Sequence, residues 1–202
     1  MTQVFLSYRT CDEPFAAAFF DLELTREFGP DAVFFASRSI ALGDDWETAM
    51  FNAVSASVAV LVVIGPRWLT AADADGRPRL QDPRDFVRRE IELGLQLKKQ
   101  VIPVHLERRH DLDLDALPES LWELADKQST TVAFRNSKPD LERLVTRLRR
   151  QIPALAPAKA PVSAAGAGNN THNTLLGTVH GNVIQSGTHI GGIFLGGPPA
   201  GS

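Results

Sequence analysis

"VAVLVVI" (Val58 to Ile64) is seven apolar residues in a row, five of them β-branched. It is far too short to span a bilayer, which needs about 20 apolar residues as a helix. A half-buried strand would alternate apolar with polar, and this run does not alternate. It therefore predicts a strand covered on both faces, the habit of parallel sheets. Four shorter runs share that character: "VFL" (Val4–Leu6), "VFF" (Val33–Phe35), "VIPVHL" (Val101–Leu106) and "TVAF" (Thr131–Phe134).

Helical patterns lie between the runs. Phe15, Ala18, Phe19 and Leu22 recur at helical spacing and end at "FGP" (Phe28–Pro30). Asp44 or Asp45 is placed to cap a helix from Trp46 to about Ala56, and Asp85 one running to about Lys99 with Val87, Ile91 and Leu95 inward. A short helix is expected in "PESLWELA", and a longer one over Lys138–Gln151 with Leu141, Leu144, Val145 and Leu148 on one face. Strands alternating with helices predict a parallel sheet with helices on both sides, and five strands in this length suggest the flavodoxin-like order 2-1-3-4-5. Pro103 removes a ladder bond, so an edge or a bulge is expected there. Ligands of such sheets bind at the carboxyl ends of the strands where the order reverses. That points to "SYR" (Ser7–Arg9) and "GPRW" (Gly65–Trp68).

Composition divides the chain. All 24 Asp and Glu precede residue 151, and the last 52 residues hold ten of the 15 glycines and three of the five histidines. The break predicts a domain over residues 1–151, a Pro/Ala/Gly-rich linker over 152–172, a β-prone segment over 173–196 and a disordered end over 197–202. A net charge of −3 gives no general attraction to nucleic acid or anionic membrane. One cysteine, Cys11, and a start without a basic, apolar leader suit a cytoplasmic protein.

Several tenants of this fold are excluded. No Walker A or G-x-G-x-x-G loop follows a strand, no acidic pair suits a phospho-receiver, no Cys/His cluster has zinc spacing and no G-x-S-x-G is present. No metal and no bound cofactor is expected. His105 and His110 are read as solvated or hydrogen-bonded, and Trp68 and Trp122 as packing residues.

Four segments, in order and at the right separations, resemble the TIR domain over residues 2–150. "VFLSYRTCDEPFA" is similar to its opening strand and helix, and "VFFASRSIALGDDWETAMFNAVSAS" to its second strand, BB loop and next helix. "VAVLVVIGPRWL" is similar to its third strand, and "DFVRREIELGLQLKKQVIPV" to the Trp-Cys-x-x-Glu box before the fourth. The sequence departs from the family at Phe86-Val87, which stand for Trp-Cys, and in a BB loop, "SRSIALG", without proline.

The family contains both NAD+-consuming enzymes and non-catalytic adaptors. The resemblance implies that Glu90 is the catalytic glutamate of the first kind, with NAD+ as substrate rather than cofactor. Cleaving the nicotinamide–ribose bond demands a carboxylate against an oxocarbenium-like transition state, because nicotinamide leaves neutral. Phe86, four residues before Glu90, shares its helical face and would seat a ring beside it. On pattern alone Glu90 reads rather as a surface acid of a charged helix, with Arg88, Arg89 and Glu92, and the resemblance is what favours the catalytic role. Arg9 resembles a family arginine of the nucleotide pocket, or is a surface charge at a strand end. Trp46 matches an aromatic beside the nicotinamide, or is a core residue at a helix start. Ser7 and Tyr8 would shape the pocket floor. Arg38 would bind substrate or contact a neighbouring TIR domain.

"TVHGNVIQSGTHIGG" (Thr178–Gly192) is uncharged, strand-prone and nearly palindromic, the signature of stacking strands. Its pattern resembles RHIM-like amyloid signalling motifs of bacterial chains. Val179, Val183, Ile184, Gln185, Gly187 and Ile190 would form the assembly face, templated by a partner protein carrying a matching motif. Joined, these readings predict a homo-oligomeric effector that cleaves NAD+ when its tail assembles. The other reading is a non-enzymatic adaptor acting through TIR–TIR and tail–tail contacts.

Overall fold

The computed structural model describes residues 3–155. The linker beyond Leu155, the segment 173–196 and its assembly residues lie outside the described residues.

Five parallel strands form one sheet: β1 (Val4–Ser7), β2 (Val33–Phe34), β3 (Ala59–Ile64), β4 (Gln100–Leu106) and β5 (Thr130–Val132). Their spatial order is β2-β1-β3-β4-β5, the flavodoxin-like order expected. All six residues of β3 are buried, because helices cover both faces of the central strand. One face packs on α1 (Pro14–Phe28) and α6 (Ser137–Gln151), with Leu6, Phe20, Leu24, Leu61, Leu144 and Leu148 in its core. After the four-residue α2 (Ala36–Ser39), the other face packs on α3 (Trp46–Ala56) and α4 (Phe86–Gln96). Its core holds Phe5, Val60, Val62, Trp68, Ile91 and Leu121. Each fully buried Leu or Phe contributes roughly 1.5–3 kcal/mol of transfer free energy.

The helix starts agree with the capping chemistry. Asp45 accepts from the Thr48 amide at 2.7 Å to open α3, and Asp85 from the Arg88 amide at 3.0 Å to open α4. "PESLWELA" forms a 3-10 turn (Glu119–Leu121) followed by α5 (Trp122–Ala125).

Three local expectations are corrected, and the expected edge or bulge at Pro103 is met by an edge. In α1 the inward residues are Ala17, Phe20, Asp21, Leu24 and Phe28, whereas Phe15 and Leu22 face outward at 86% and 65% exposure. "PFAAAFFDL" is apolar around the whole helix, so spacing alone does not choose a face. Pro103 sits without a bulge opposite Val62. It lies one residue before the pairing with β5 begins at Val104, so β4 is locally an edge on that side. Packing also continues past Gln151. Ile152 and Leu155, each 1% exposed, enter the α1–α6 core through a short turn at Pro153–Leu155. Trp68 is fully buried as a packing residue, but Trp122 is half exposed, its indole N–H shared between the carbonyls of Leu114 and Leu117.

Candidate active site

β1 ends at Ser7, and the chain leaves the sheet through Tyr8 and Arg9. The inward face of α4 carries Val87, Glu90, Ile91 and Gly94 toward the same end of β1. Gly94 is needed in this packing, because a Cβ there would lie 3.1 Å from Val60 and 3.2 Å from Val101. With α4 so close, Glu90 sits at 3% exposure and accepts a hydrogen bond from Ser7 Oγ at 2.6 Å. Glu90 is therefore no surface acid of a charged helix.

Burial pushes the Glu90 carboxyl up to about 8. The Ser7 hydroxyl pulls the other way, the Asp85 carboxylate adds to the rise and the Arg9 guanidinium offsets part of it. At neutral pH the resting carboxyl is mostly protonated.

Arg9 is likewise no surface charge. It is 3% exposed, and its guanidinium grips Asp85 with two parallel bonds of 2.9 and 3.0 Å. The same Asp85 caps α4, so one carboxylate ties the end of β1 to the start of the helix that carries Glu90. The Arg9 Nε–H has no partner among the described residues.

Trp46, at the first position of α3, is half exposed at 41% rather than a core residue. Its ring meets Phe86 edge-on, with centroids 4.3 Å apart and planes at 83°. Arg89 braces the pair: it lies over Phe51 and binds Glu47 at 2.6 Å, holding the starts of α3 and α4 together. Around these groups is a cavity of about 210 Å³, lined by Tyr8, Arg9, Trp46, Phe86 and Glu90, with Arg79 and Asp85 beside them.

Arg38 is not brought there. Its guanidinium bonds Asp21 of α1 at 2.7 Å and the carbonyls of Pro30 and Val33, clasping the β2 exit to α1. The hydrogen bond to Asp21 raises the Arg38 pKa above its ordinary value, against the lowering that partial burial imposes. Nor does "GPRW" line this cavity. The buried Asp12 fills the crevice between the ends of β1 and β3, accepting from the amides of Gly65 at 2.9 Å and Arg67 at 2.8 Å. A side chain at residue 65 would force Asp12 to shift, since a Cβ would lie 2.6 Å from Asp12 Oδ2.

Arg79 and the Arg9 partner Asp85 were not foreseen at the site. Asp85 was legible only as a helix cap, and Arg79 lies in the β3–α4 connection, where no periodicity marks it.

The arrangement defines a doubly wound α/β domain whose β3-following helix holds a buried glutamate against the end of β1, beside an aromatic pair. The chain belongs to the TIR domain family, which matches residues 4–148. No curated protein has a matching sequence. Similar solved structures include the TIR domains of the activated Roq1 resistosome directly recognising the pathogen effector XopQ. They are 14% identical over 73% of this chain and 99% of that one, with a TM-score of 0.51. The TIR domain of the Toll-related receptor TRR-2 from Hydra magnipapillata is 18% identical over 74% and 99%, with a TM-score of 0.47. A metazoan TIR-STING receptor from C. gigas in complex with 2′,3′-cGAMP is 19% identical over 69% of this chain and 38% of that one, with a TM-score of 0.46. At these identities the likeness is one of fold. Among the described residues no helix is long and apolar enough to cross a membrane.

Proposed function

We propose that this TIR domain cleaves NAD+ between nicotinamide and ribose, with Glu90 as the catalytic residue. The supporting observation is a buried, Ser7-bonded carboxyl in a cavity walled by Trp46 and Phe86. The aromatic pair offers a seat for the nicotinamide ring, and Arg9 a charge for the pyrophosphate.

The bond electrons leave with nicotinamide, which departs neutral, so no acid is required. Positive charge then moves onto the ribose, where an ionised Glu90 stabilises it. The resting carboxyl is protonated, and a cationic nicotinamide ring favours its ionisation. Attack by water gives ADP-ribose and releases a proton; attack by an internal nucleophile gives a cyclic product.

A cavity of about 210 Å³ is smaller than the roughly 300–1,000 Å³ of typical ligand sites and holds part of a dinucleotide. That supports a site completed by a second copy. Assembly through residues 173–196, seeded by a partner protein with a matching motif, would raise the local concentration of TIR domains. The setting is immune or cell-death signalling in a bacterial cytoplasm.

Glu90→Ala tests the assignment. The assembled variant should lose NAD+ consumption; unchanged consumption would overturn the role of Glu90, and no consumption by the assembled natural protein would leave the adaptor reading, in which TIR–TIR and tail–tail contacts alone carry the signal.

A further inference from the structure

The carboxyl end of β4 and the residues that lead into β5 carry a second cluster that shares no residue with the Glu90 cavity. His105, paired with Ile64 in the β3–β4 ladder, is 2% exposed. Its Nδ1 accepts the backbone N–H of His110 at 3.3 Å. Burial lowers the imidazole to about 4, and the neighbouring His110 and Arg109 push the same way. The ring is therefore neutral at physiological pH and carries its proton on Nε2. That Nε2–H has no hydrogen-bond partner among the described residues, although His105 lines a cavity of about 200 Å³. A neutral imidazole N–H that lines a cavity is free to donate to a ligand bound there.

The polar side chains of the lining are mostly donors, beside an apolar wall of Pro103, Leu112, Leu124 and Ala125. Arg109 and Lys127 bring two positive charges, Ser129 a hydroxyl, and Asp111 one opposing carboxylate. Lys127 is already bonded to Glu123 at 2.5 Å, whereas Arg109 has no ion-pair partner among the described residues. Another acid of the loop, Glu107, accepts from the Phe134 amide at 2.8 Å and is thereby held toward β5. One contact and one left-handed residue shape the loop itself. His110 Nε2 lies 3.0 Å from the Leu106 carbonyl, and Glu107 takes a left-handed φ of 65°. A non-glycine residue in that conformation is strained, and the bonds around it keep the loop in place.

The geometry points to an anion site beneath the β4 exit, in which His105 Nε2–H and the Arg109 guanidinium bind a phosphate group. A tetrahedral phosphate presents several acceptor oxygens, suited to donors converging from a strand and from the loop above it. The cavity is larger than one phosphate needs, so the phosphate group of a monoester such as a nucleotide fits there as well as the free ion. The carboxyl edge of a parallel sheet is where such folds receive ligands.

The test is titration of the full-length chain with inorganic phosphate and, separately, with adenosine monophosphate. Calorimetry and the ¹⁵N shift of His105 Nε2 report binding. Saturable binding that moves the Nε2 signal is expected, and Arg109→Ala, at an exposed position, should weaken it about tenfold. Arg108→Ala is the control for diffuse charge, because Arg108 lines the neighbouring cavity rather than this one. Tighter binding of the nucleotide identifies a nucleotide phosphate as the ligand; binding of phosphate alone identifies the free ion. The site is overturned if neither ligand moves the His105 signal, or if Arg108→Ala weakens binding as much as Arg109→Ala.

Discussion

Ser7 Oγ lies 2.6 Å from Glu90 Oε2 across 83 residues of sequence, and no other hydrogen bond reaches the Glu90 side chain among the described residues. The hydroxyl is thus the principal group drawing this carboxyl back from the rise that burial imposes. If the ionised form is the active one, kcat/KM for NAD+ should climb with pH toward a midpoint near 8 in the free enzyme. Ser7→Ala removes the stabilising bond and should move that midpoint upward, lowering the rate at pH 7 and sparing it at high pH. A pH–rate profile of the two proteins checks this, and coincident midpoints would refute tuning by Ser7.

The same carboxyl makes stability depend on pH. Its folded pKa of about 8 exceeds the ordinary 4.5, so between these values the folded chain holds a proton that the unfolded chain has lost. Stability from this group is therefore greatest below about 4.5 and falls as pH rises toward 8. The upper bound on the loss is a few kcal/mol. Glu90→Gln keeps an acceptor for Ser7 and does not titrate. The melting temperature of the natural protein should fall relative to this variant from pH 5 to pH 8. Parallel melting curves across that range would show that Glu90 titrates normally in the fold.

Much of this was legible because it follows from local chemistry. Val58 to Ile64 announced a doubly covered strand, and Asp45 and Asp85 announced helix starts, since a cap needs only its own turn. The first helix misled because its apolar residues surround it, and tertiary contact alone selects Phe20 over Phe15. Glu90 and Phe86 could be paired from helical spacing, but the depth of Glu90 could not, because it depends on Gly94 admitting α4 onto β3 and β4. Arg38 and Asp12 are the plainest cases. Each binds a partner whose position is set by how α1 and the sheet come together, and no spacing in the sequence encodes that.

Arg9 and Asp85 form a nearly buried pair, their side chains 2% and 8% exposed. Such a pair contributes little net stability when whole, but breaking it leaves a buried charge. Asp85→Ala should destabilise the domain by roughly 3–5 kcal/mol through the stranded Arg9, with about 1 kcal/mol more from the lost α4 cap. Replacing both, Arg9→Met with Asp85→Asn, should recover much of that loss in denaturant unfolding. Additive losses in the double variant would mean that the two side chains do not act as a pair.

Gly65 and Asp12 separate the fold's needs from those of the active site. Asp12 binds two amides of the β3 exit, and an added methyl at residue 65 would meet its carboxylate at 2.6 Å. Gly65→Ala should therefore cost about 1–3 kcal/mol by overpacking. Neither residue lines the cavity with Glu90, so folded Gly65→Ala protein should cleave NAD+ at the natural rate. A stable variant that is inactive would place the β3 exit in the catalytic machinery after all.

Residues 173–196 carry the last expectation. A peptide of this segment should form fibres with the cross-β repeat of about 4.7 Å. In the whole chain, tethered copies meet at an effective concentration set by the linker, which for short flexible linkers is on the order of millimolar. At dilute protein, deleting residues 173–196 should abolish NAD+ cleavage, and raising the concentration of the truncated chain should restore it. That dependence distinguishes a tail that gathers TIR domains from one that acts on the active site directly. Equal rates with and without the segment in dilute solution would sink the idea that assembly switches the enzyme on.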